Sequence, residues 1–388
     1  MKLLFVLTPP FDPSTGGVQD TTFKLGRYFH QAGLDVHYYS CTVRGHLTEV
    51  HGTLHHALTE DGTGEANMEQ LRTLVRTLEP AVVINQMPFE TALRNTLYDL
   101  QQERSFVLLG CLRNTLWGFR IGAKDDYKRK VPAWLYPVLI NKFTLPLLGY
   151  RVHKLQKQHL LEILDKNDLF MLLTPHNRVE MESFIGKYKS QKAMSMPNSI
   201  PQVLETLPPK KKQIVHVGRL TISQKRSDLL LPFWKEVHKQ LPDWEFVVVG
   251  YGDYEQRLKD QVAREGIENI TFTGRQVPDN YYRDASVFMM PSSYEGFPNV
   301  VLEAQSFGAV PVAFDSYGAI RDIVQDGVNA LLIPPFDTQA MAEKVVQLVQ
   351  DPDRLATMQQ ASLENARNYT IDQVGQLWLQ LFKERTQK

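Results

Sequence analysis

The sequence predicts an α/β protein of two doubly wound, mainly parallel sheets, each in its own domain, facing each other across a cleft. Three observations carry this. The chain has 388 residues, more than one hydrophobic core usually serves. Short apolar runs alternate with helix-period segments along its length, the pattern of βα units with both sheet faces covered. A stretch rich in proline and lysine, "MPNSIPQVLETLPPKKK" (196–212), separates two such series. The expected division is a first domain over 1–200, a second over 201–366, and a C-terminal helix over 367–388 that returns to the first.

In the first series, the runs "KLLFVL", "DVHYYS", "AVVIN", "SFVLLG", "LFMLL" and "AMSMP" read as strands, and "DTTFKLGRYFHQAG" (20–33) reads as a helix stopped by Gly33. The second series opens with strand "QIVHVG" and helix "DLLLPFWKEVHKQL", then strand "WEFVVVG" and helix "YEQRLKDQVAREG". Strands "NITFTG" and "SVFMMP", helix "NVVLEAQSFG", and strands "VPVAF" and "ALLIP" follow. The last segment, "YTIDQVGQLWLQLFKERTQK", reads as an amphipathic helix with Trp378 and Leu381 on its apolar side.

Composition is that of an ordinary soluble chain, 43% apolar and 22% charged, with a net charge of zero. Residues 1–200 carry 23 Lys/Arg against 19 Asp/Glu, and the remainder 20 against 24. Neither half has the strong basic face of a general nucleic-acid binder. Two cysteines, Cys41 and Cys111, make no disulfide framework and fit a reduced, cytoplasmic setting as small buried residues. The first apolar run, Leu3 to Leu7, is shorter than the ~7–15 residues of an export signal. The best candidate span, "WLYPVLINKFTLPLLGY", is broken by Pro137, Asn141, Lys142 and Pro146 and falls short of ~18 uninterrupted apolar residues.

Ligands of such sheets sit at the carboxyl ends of the strands. After "QIVHVG", Arg219 and Lys225 follow at one and seven residues, suiting a forked and a pointed cation over a pair of phosphates; the alternative is two solvated surface cations. "GYGD" (250–253) admits close approach of a ligand or simply a tight turn. Main-chain groups of Arg275 to Val277 are placed to bond a base edge. Near the N-terminus, Gly16 and Gly17 precede a helix, and their amides together with the positive helix end make an anion site, or serve only the turn. Glu295 and Glu303 stand eight residues apart across a Gly-Phe-Pro break. A hydrolase acid/base pair would be one use of them, but the cations nearby would then have no purpose.

These pieces resemble one family. "HVGRL…KR", "VVVGYGD", "ITFTGR", and above all "PSSYEGFPNVVLEAQSFGAVPVAF" followed by "DIVQDGVNALLIPP", look like the retaining glycosyltransferases of family 4 with the GT-B fold, the nucleotide-sugar-dependent group 1 transferases. The resemblance is strong over 213–350 and weaker at 1–40 and 197–201. It implies two Rossmann-like domains and transfer of a sugar, with retention, from a nucleoside-diphosphate-sugar, UDP preferred over GDP, to a glycan or lipid-linked glycan. It implies that Glu303 holds the ribose hydroxyls, which suits a carboxylate facing a vicinal diol, and that Glu295 lies near the transferred sugar. The amides of Gly296, Phe297 and the turn into Asn299 line sugar and phosphate. Arg219 and Lys225 neutralise the diphosphate and stabilise the departing charge, with Gly16 and Gly17 closing over it from the opposite domain. No metal or other cofactor is expected, because the cations take that part.

The chain departs from the pattern where many relatives carry a histidine in the first domain. Here Leu112, Arg113 and Asn114 stand at those positions, so no histidine is assigned. Arg113 either takes a similar place or faces the acceptor, with Asn114 beside it. The group His51, His55 and His56 has helix-compatible spacing for a metal but no carboxylate motif, and reads as surface histidines. "DPD" (351–353) reads as a helix cap. Residues 114–157 carry nine Lys/Arg against Asp125 and Asp126. They read either as a basic, apolar surface touching the inner face of a membrane beside a lipid-linked acceptor or as a packed helix with a solvated basic side. Two rival functions remain: a catalytically silent sugar-nucleotide-binding partner on the same fold, and a nucleotide-sugar epimerase. An NAD-dependent oxidoreductase ranks lower, since no G-x-G-x-x-G opens the first helix.

Overall fold

The computed structural model describes residues 1–42, 51–117, 144–187 and 190–387. They form two compact units, one of Met1–Ser199 with Ile371–Lys388 and the other of Ile200–Thr370.

Unit 1 holds a seven-stranded sheet in the order β3-β2-β1-β4-β5-β6-β7. Its strands are β1 (Lys2–Leu7), β2 (Asp35–Ser40), β3 (Thr53–His56), β4 (Val82–Asn85), β5 (Val107–Cys111), β6 (Leu169–Leu172) and β7 (Ala193–Ser195). Every pairing is parallel. Successive residues of β1 enter opposite cores, as the two-residue period of a strand requires. Leu3, Phe5 and Leu7 pack with Phe29 and Tyr38, and Leu4 and Val6 pack with Leu71 and Val75. Both faces are covered, hence the uninterrupted apolar runs.

Strand β3 was not legible in the sequence. "TLHH" has no apolar run, and its strand conformation comes from pairing at the sheet edge, with Tyr39 opposite His55 and Ser40 opposite His56. The histidines expected at helix-compatible spacing in a loop are thus partly on a strand. His55 Nε2 lies 3.2 Å from His37 Nδ1 on β2. Among the described residues no group of three His, Cys, Asp or Glu is arranged to hold a metal.

Unit 2 repeats the plan with six parallel strands in the order β10-β9-β8-β11-β12-β13. They are β8 (Lys211–Val217), β9 (Glu245–Val249), β10 (Ile270–Gly274), β11 (Ala285–Met290), β12 (Val310–Phe314) and β13 (Leu331–Ile333). Helix Leu230–Gln240 buries Phe233, Trp234 and Val237 against the sheet. The Trp234 indole N–H reaches the Glu268 carbonyl at 2.9 Å, so a large ring is buried without stranding its polar atom. A short helix, Asp279–Asp284, interrupts what the sequence suggested was a plain connection between β10 and β11. In both sheets the strand order reverses beside the first strand, between β1 and β4 and between β8 and β11. That is where a doubly wound sheet opens a crevice at its strand ends.

The last helix, Ile371–Thr386, belongs to unit 1. Val374, Trp378, Leu381 and Phe382 join the core that contains Phe29. Gly375 is needed there: a Cβ on it would run into the Tyr28 ring. Helix Pro352–Arg367, just before it, stays in unit 2 and is capped by Asp351, whose side chain accepts from the Arg354 amide at 3.0 Å. Both cysteines are buried and free. Burial pushes the Cys41 thiol up to about 12. Of the basic segment 114–157, residues 118–143 lie outside the described residues, and residues 144–166 form a helix. Among the described residues no helix is long and apolar enough to cross a membrane.

Candidate functional site

In unit 2 the loop after β8 and the loop after β11 are tied together. Ser293 donates its amide to the Gln224 carbonyl at 2.8 Å, and its hydroxyl donates to the Ser223 carbonyl at 2.9 Å. This brings Lys225 to Glu295, Nζ to Oε1 at 2.6 Å, with side chains only 15% and 9% exposed. Gln224 donates to the second carboxylate oxygen of Glu295 at 2.9 Å. The sequence reading missed Gln224. Its only signal was its position next to Lys225.

His216 Nε2, on which the Lys225 charge acts, and the Tyr317 hydroxyl, on which the Glu295 charge acts, are buried without partners among the described residues, as is Ser292 Oγ three residues before Glu295. His216 Nδ1 lies 3.1 Å from the Met289 carbonyl, which can only accept, so Nδ1 bears the proton and Nε2 presents a lone pair. Burial, with the Lys225 charge as a lesser cause, pushes the His216 pKa down to about 4. Burial, and then the Glu295 charge, raise the Tyr317 hydroxyl well above its ordinary range. Such unpaired groups are costly in a closed core and fit a site that receives a polar guest.

The turn 295–298 leads from β11 into helix Asn299–Ser306, which has no side-chain cap. The Gly296 and Phe297 amides take no partner among the described residues. The Asn299 amide, expected to face the ligand, instead donates to the Phe297 carbonyl at 2.9 Å. Glu303 lies on the helix, half-buried, and accepts from the Tyr282 hydroxyl at 3.3 Å. Tyr282 comes from the short helix that the sequence did not reveal.

Arg219 is exposed, with no side-chain hydrogen bond or ion pair among the described residues. Arg275 is exposed with its guanidinium 5.5 Å from the Tyr251 ring, and Val277 is 75% exposed. The glycines of "GYGD" have a packing reason. Gly250 sits at φ +142°, and a Cβ on Gly250 or Gly252 would strike the Gly218 or Leu220 carbonyl. They let the β9 loop close on the β8 loop, a packing role that is neither the ligand approach nor the tight turn expected from the sequence.

In unit 1, Gly16 caps the helix Gly17–Gln31 with no side-chain cap. Arg113, half-buried after β5, donates to Gln86 Oε1 at 2.5 Å and to Asn198 Oδ1 at 3.1 Å. Asn114 is exposed, and its Oδ1 accepts from the Thr115 amide at 2.8 Å.

Residues 211–351 match the model described as "Glycosyl transferases group 1". That segment, all of it within unit 2, contains the whole Lys225–Glu295 arrangement together with Glu303. An uncharacterized glycosyltransferase of Haemophilus influenzae is 30% identical over 196 residues, covering 50% of this chain and 55% of that one. The amylovoran biosynthesis glycosyltransferase AmsD of Erwinia amylovora is 27% identical over 184 residues, covering 47% and 51%. The chain thus spans about half the length of these curated relatives. Among solved structures, S. aureus TarM superposes with a TM-score of 0.74 at 13% identity over 98% of this chain and 99% of that one. Anabaena HepE gives 0.73 at 16% identity over 99% and 100%. At such identities the likeness speaks for the fold, and the fold is GT-B.

Proposed function

We propose that the protein is a retaining glycosyltransferase of family 4. In this reading it moves a sugar from a nucleoside-diphosphate-sugar, UDP in preference to GDP, to a glycan or lipid-linked glycan. The observation that carries it is the Lys225–Glu295 pair at the strand ends of the segment that matches the group 1 transferase model, with the unpartnered His216 and Tyr317 atoms within reach of its charges. Anabaena HepE has been solved with UDP and glucose, and pneumococcal GtfA with UDP and GlcNAc, which supports UDP as the donor nucleotide here.

The chemistry follows from charge. As the glycosidic bond breaks, the leaving diphosphate gathers negative charge. Arg219, Lys225 and the Gly296 and Phe297 amides stabilise that charge more in the transition state than before it. Glu295 lies by the transferred sugar and orients Lys225. Glu303 takes the ribose hydroxyls, and Arg275 to Val277 offer main-chain groups to the base. Gly16 and Gly17, at the start of a helix in unit 1, offer their amides as an anion site. In this reading the two cations take the part of a divalent ion, and turnover is expected to be independent of chelators. The acceptor belongs to polysaccharide or glycoconjugate synthesis, at the cytoplasmic side.

Thermal stabilisation by UDP, GDP, ADP and TDP tests the reading. A nucleotide at 100 times its dissociation constant adds about 2.7 kcal/mol. UDP is expected to stabilise the wild type most and to leave Lys225→Ala and Glu303→Ala unmoved. No shift with any nucleotide would remove the nucleotide-sugar reading, and a UDP shift without sugar transfer would favour the catalytically silent binding protein.

A further inference from the structure

We propose that the strand ends of unit 1 hold a separate anion site, centred on Arg113, that takes an oxoanion substituent of a carbohydrate substrate, either a carboxylate or a phosphate ester. That the substrate is a carbohydrate rests on the transferase reading above; that the ligand is anionic does not.

The donors identify the ligand class. Arg113 donates through Nε to Gln86 and through Nη1 to Asn198. A guanidinium has no acceptor, so both side-chain amides must turn their oxygens toward it. This leaves the Gln86 amide nitrogen buried without a partner, on a residue only 1% exposed. Arg113 Nη2 and the Ser199 hydroxyl are also buried and unpartnered among the described residues. The unmet capacity of the Arg113–Gln86 pair is therefore two N–H donors, Arg113 Nη2 and the Gln86 amide nitrogen, which is what an oxoanion satisfies.

The charge balance points the same way. Arg94, the most buried guanidinium among the described residues of this unit, is 2% exposed and faces the Glu162 carboxylate at 2.7 Å, while the partly buried Arg178 donates to the Ser190 and Ala193 carbonyls. Arg113 has no ion pair among the described residues. Its pKa is lowered by burial, and the ionisable group acting on it, by charge and by a side-chain hydrogen bond, is the Cys111 thiol, which burial keeps protonated. The guanidinium stays charged regardless, held by two neutral amides and a neutral thiol. Gln86 follows β4, Arg113 follows β5 and Asn198 lies beyond β7, all at the carboxyl ends of parallel strands, where this architecture places ligands.

The test uses the full chain saturated with UDP, so that Arg219 and Lys225 are already occupied. Methyl glucuronide, glycerol phosphate and neutral methyl glucoside are titrated at constant ionic strength while Tm is followed. One of the two anions is expected to raise Tm where the glucoside does not, and which one separates carboxylate from phosphate. Arg113→Gln should weaken that response about tenfold or more, the weight of one charge-assisted hydrogen bond. Gln86→Glu puts a carboxylate against Arg113, so it should keep the fold, raise the Tm of the unliganded chain and abolish the anion response. The proposal is overturned if neither anion exceeds the glucoside, or if both variants respond as the wild type does. A UDP shift without an anion response removes this site and leaves the transferase reading standing. Without a UDP shift, the same titration is read on the ligand-free chain against Arg113→Gln.

Discussion

Lys225 and Glu295 are 70 residues apart in sequence and 2.6 Å apart in space. The contact joins the loop after the first strand of unit 2 to the loop after the strand beside it, so the reversal of strand order creates it. In the ligand-free protein it also holds the lysine away from solvent. A bound diphosphate would compete with Glu295 for the same ammonium.

Removing one member of this pair leaves the other buried and unmatched. Lys225→Met is expected to cost about 1–3 kcal/mol of stability and to weaken UDP binding at least tenfold. Lys225→Met with Glu295→Gln should regain most of the stability but none of the binding. Urea denaturation and calorimetric titration on the three variants check this. Recovery of UDP binding in the double variant would refute the assignment of Lys225 to the diphosphate.

His216 makes stability depend on pH. Its folded pKa is about 4 against an ordinary 6.5, because burial disfavours the charged form. Below pH 6.5 the unfolded chain binds the proton and the folded one does not, so stability is complete above that pH and is lost as pH falls toward 4. The loss is at most about 3 kcal/mol. His216→Gln should flatten that part of the stability profile, measured by denaturation from pH 7 to pH 4.

Gly250 cannot bear a side chain. Its φ of +142° and the Gly218 carbonyl both oppose a Cβ. Gly250→Ala is expected to destabilise the protein by about 2–4 kcal/mol. Since the loop it displaces begins at Gly218 and carries Arg219, UDP affinity should fall as well. Gly266→Ala is the control: φ +61° with nothing near the added atom, so only the smaller backbone term applies, about 1 kcal/mol.

The returning helix is held by its apolar face. Trp378→Ala should cost about 3–5 kcal/mol and expose residues near Ile371 to proteolysis before the rest of unit 1. Limited digestion with mass spectrometry reads this directly. Equal resistance in variant and wild type would mean that the helix is secured by something other than this core.

Runs such as "KLLFVL" and "WEFVVVG" declare their strands because both faces of a parallel sheet are buried, and burial demands apolar residues whatever the neighbours are. By that rule the sequence alone determined the fold class and the order of the apolar strands in the second domain. It could not reveal β3, whose residues are strand only because β2 supplies hydrogen bonds, nor Tyr282 beside Glu303. It also could not tell that Gly250 and Gly252 serve packing between two loops, since the carbonyls they avoid are some thirty residues away. Tertiary structure alone decided which charges are matched. Lys225 and Arg94 meet carboxylates, while Arg113 meets two neutral amides. The physical reason is that charge pairing is a property of distance in space. Composition fixes how many charges a chain carries, and only the fold fixes which of them are left for a ligand.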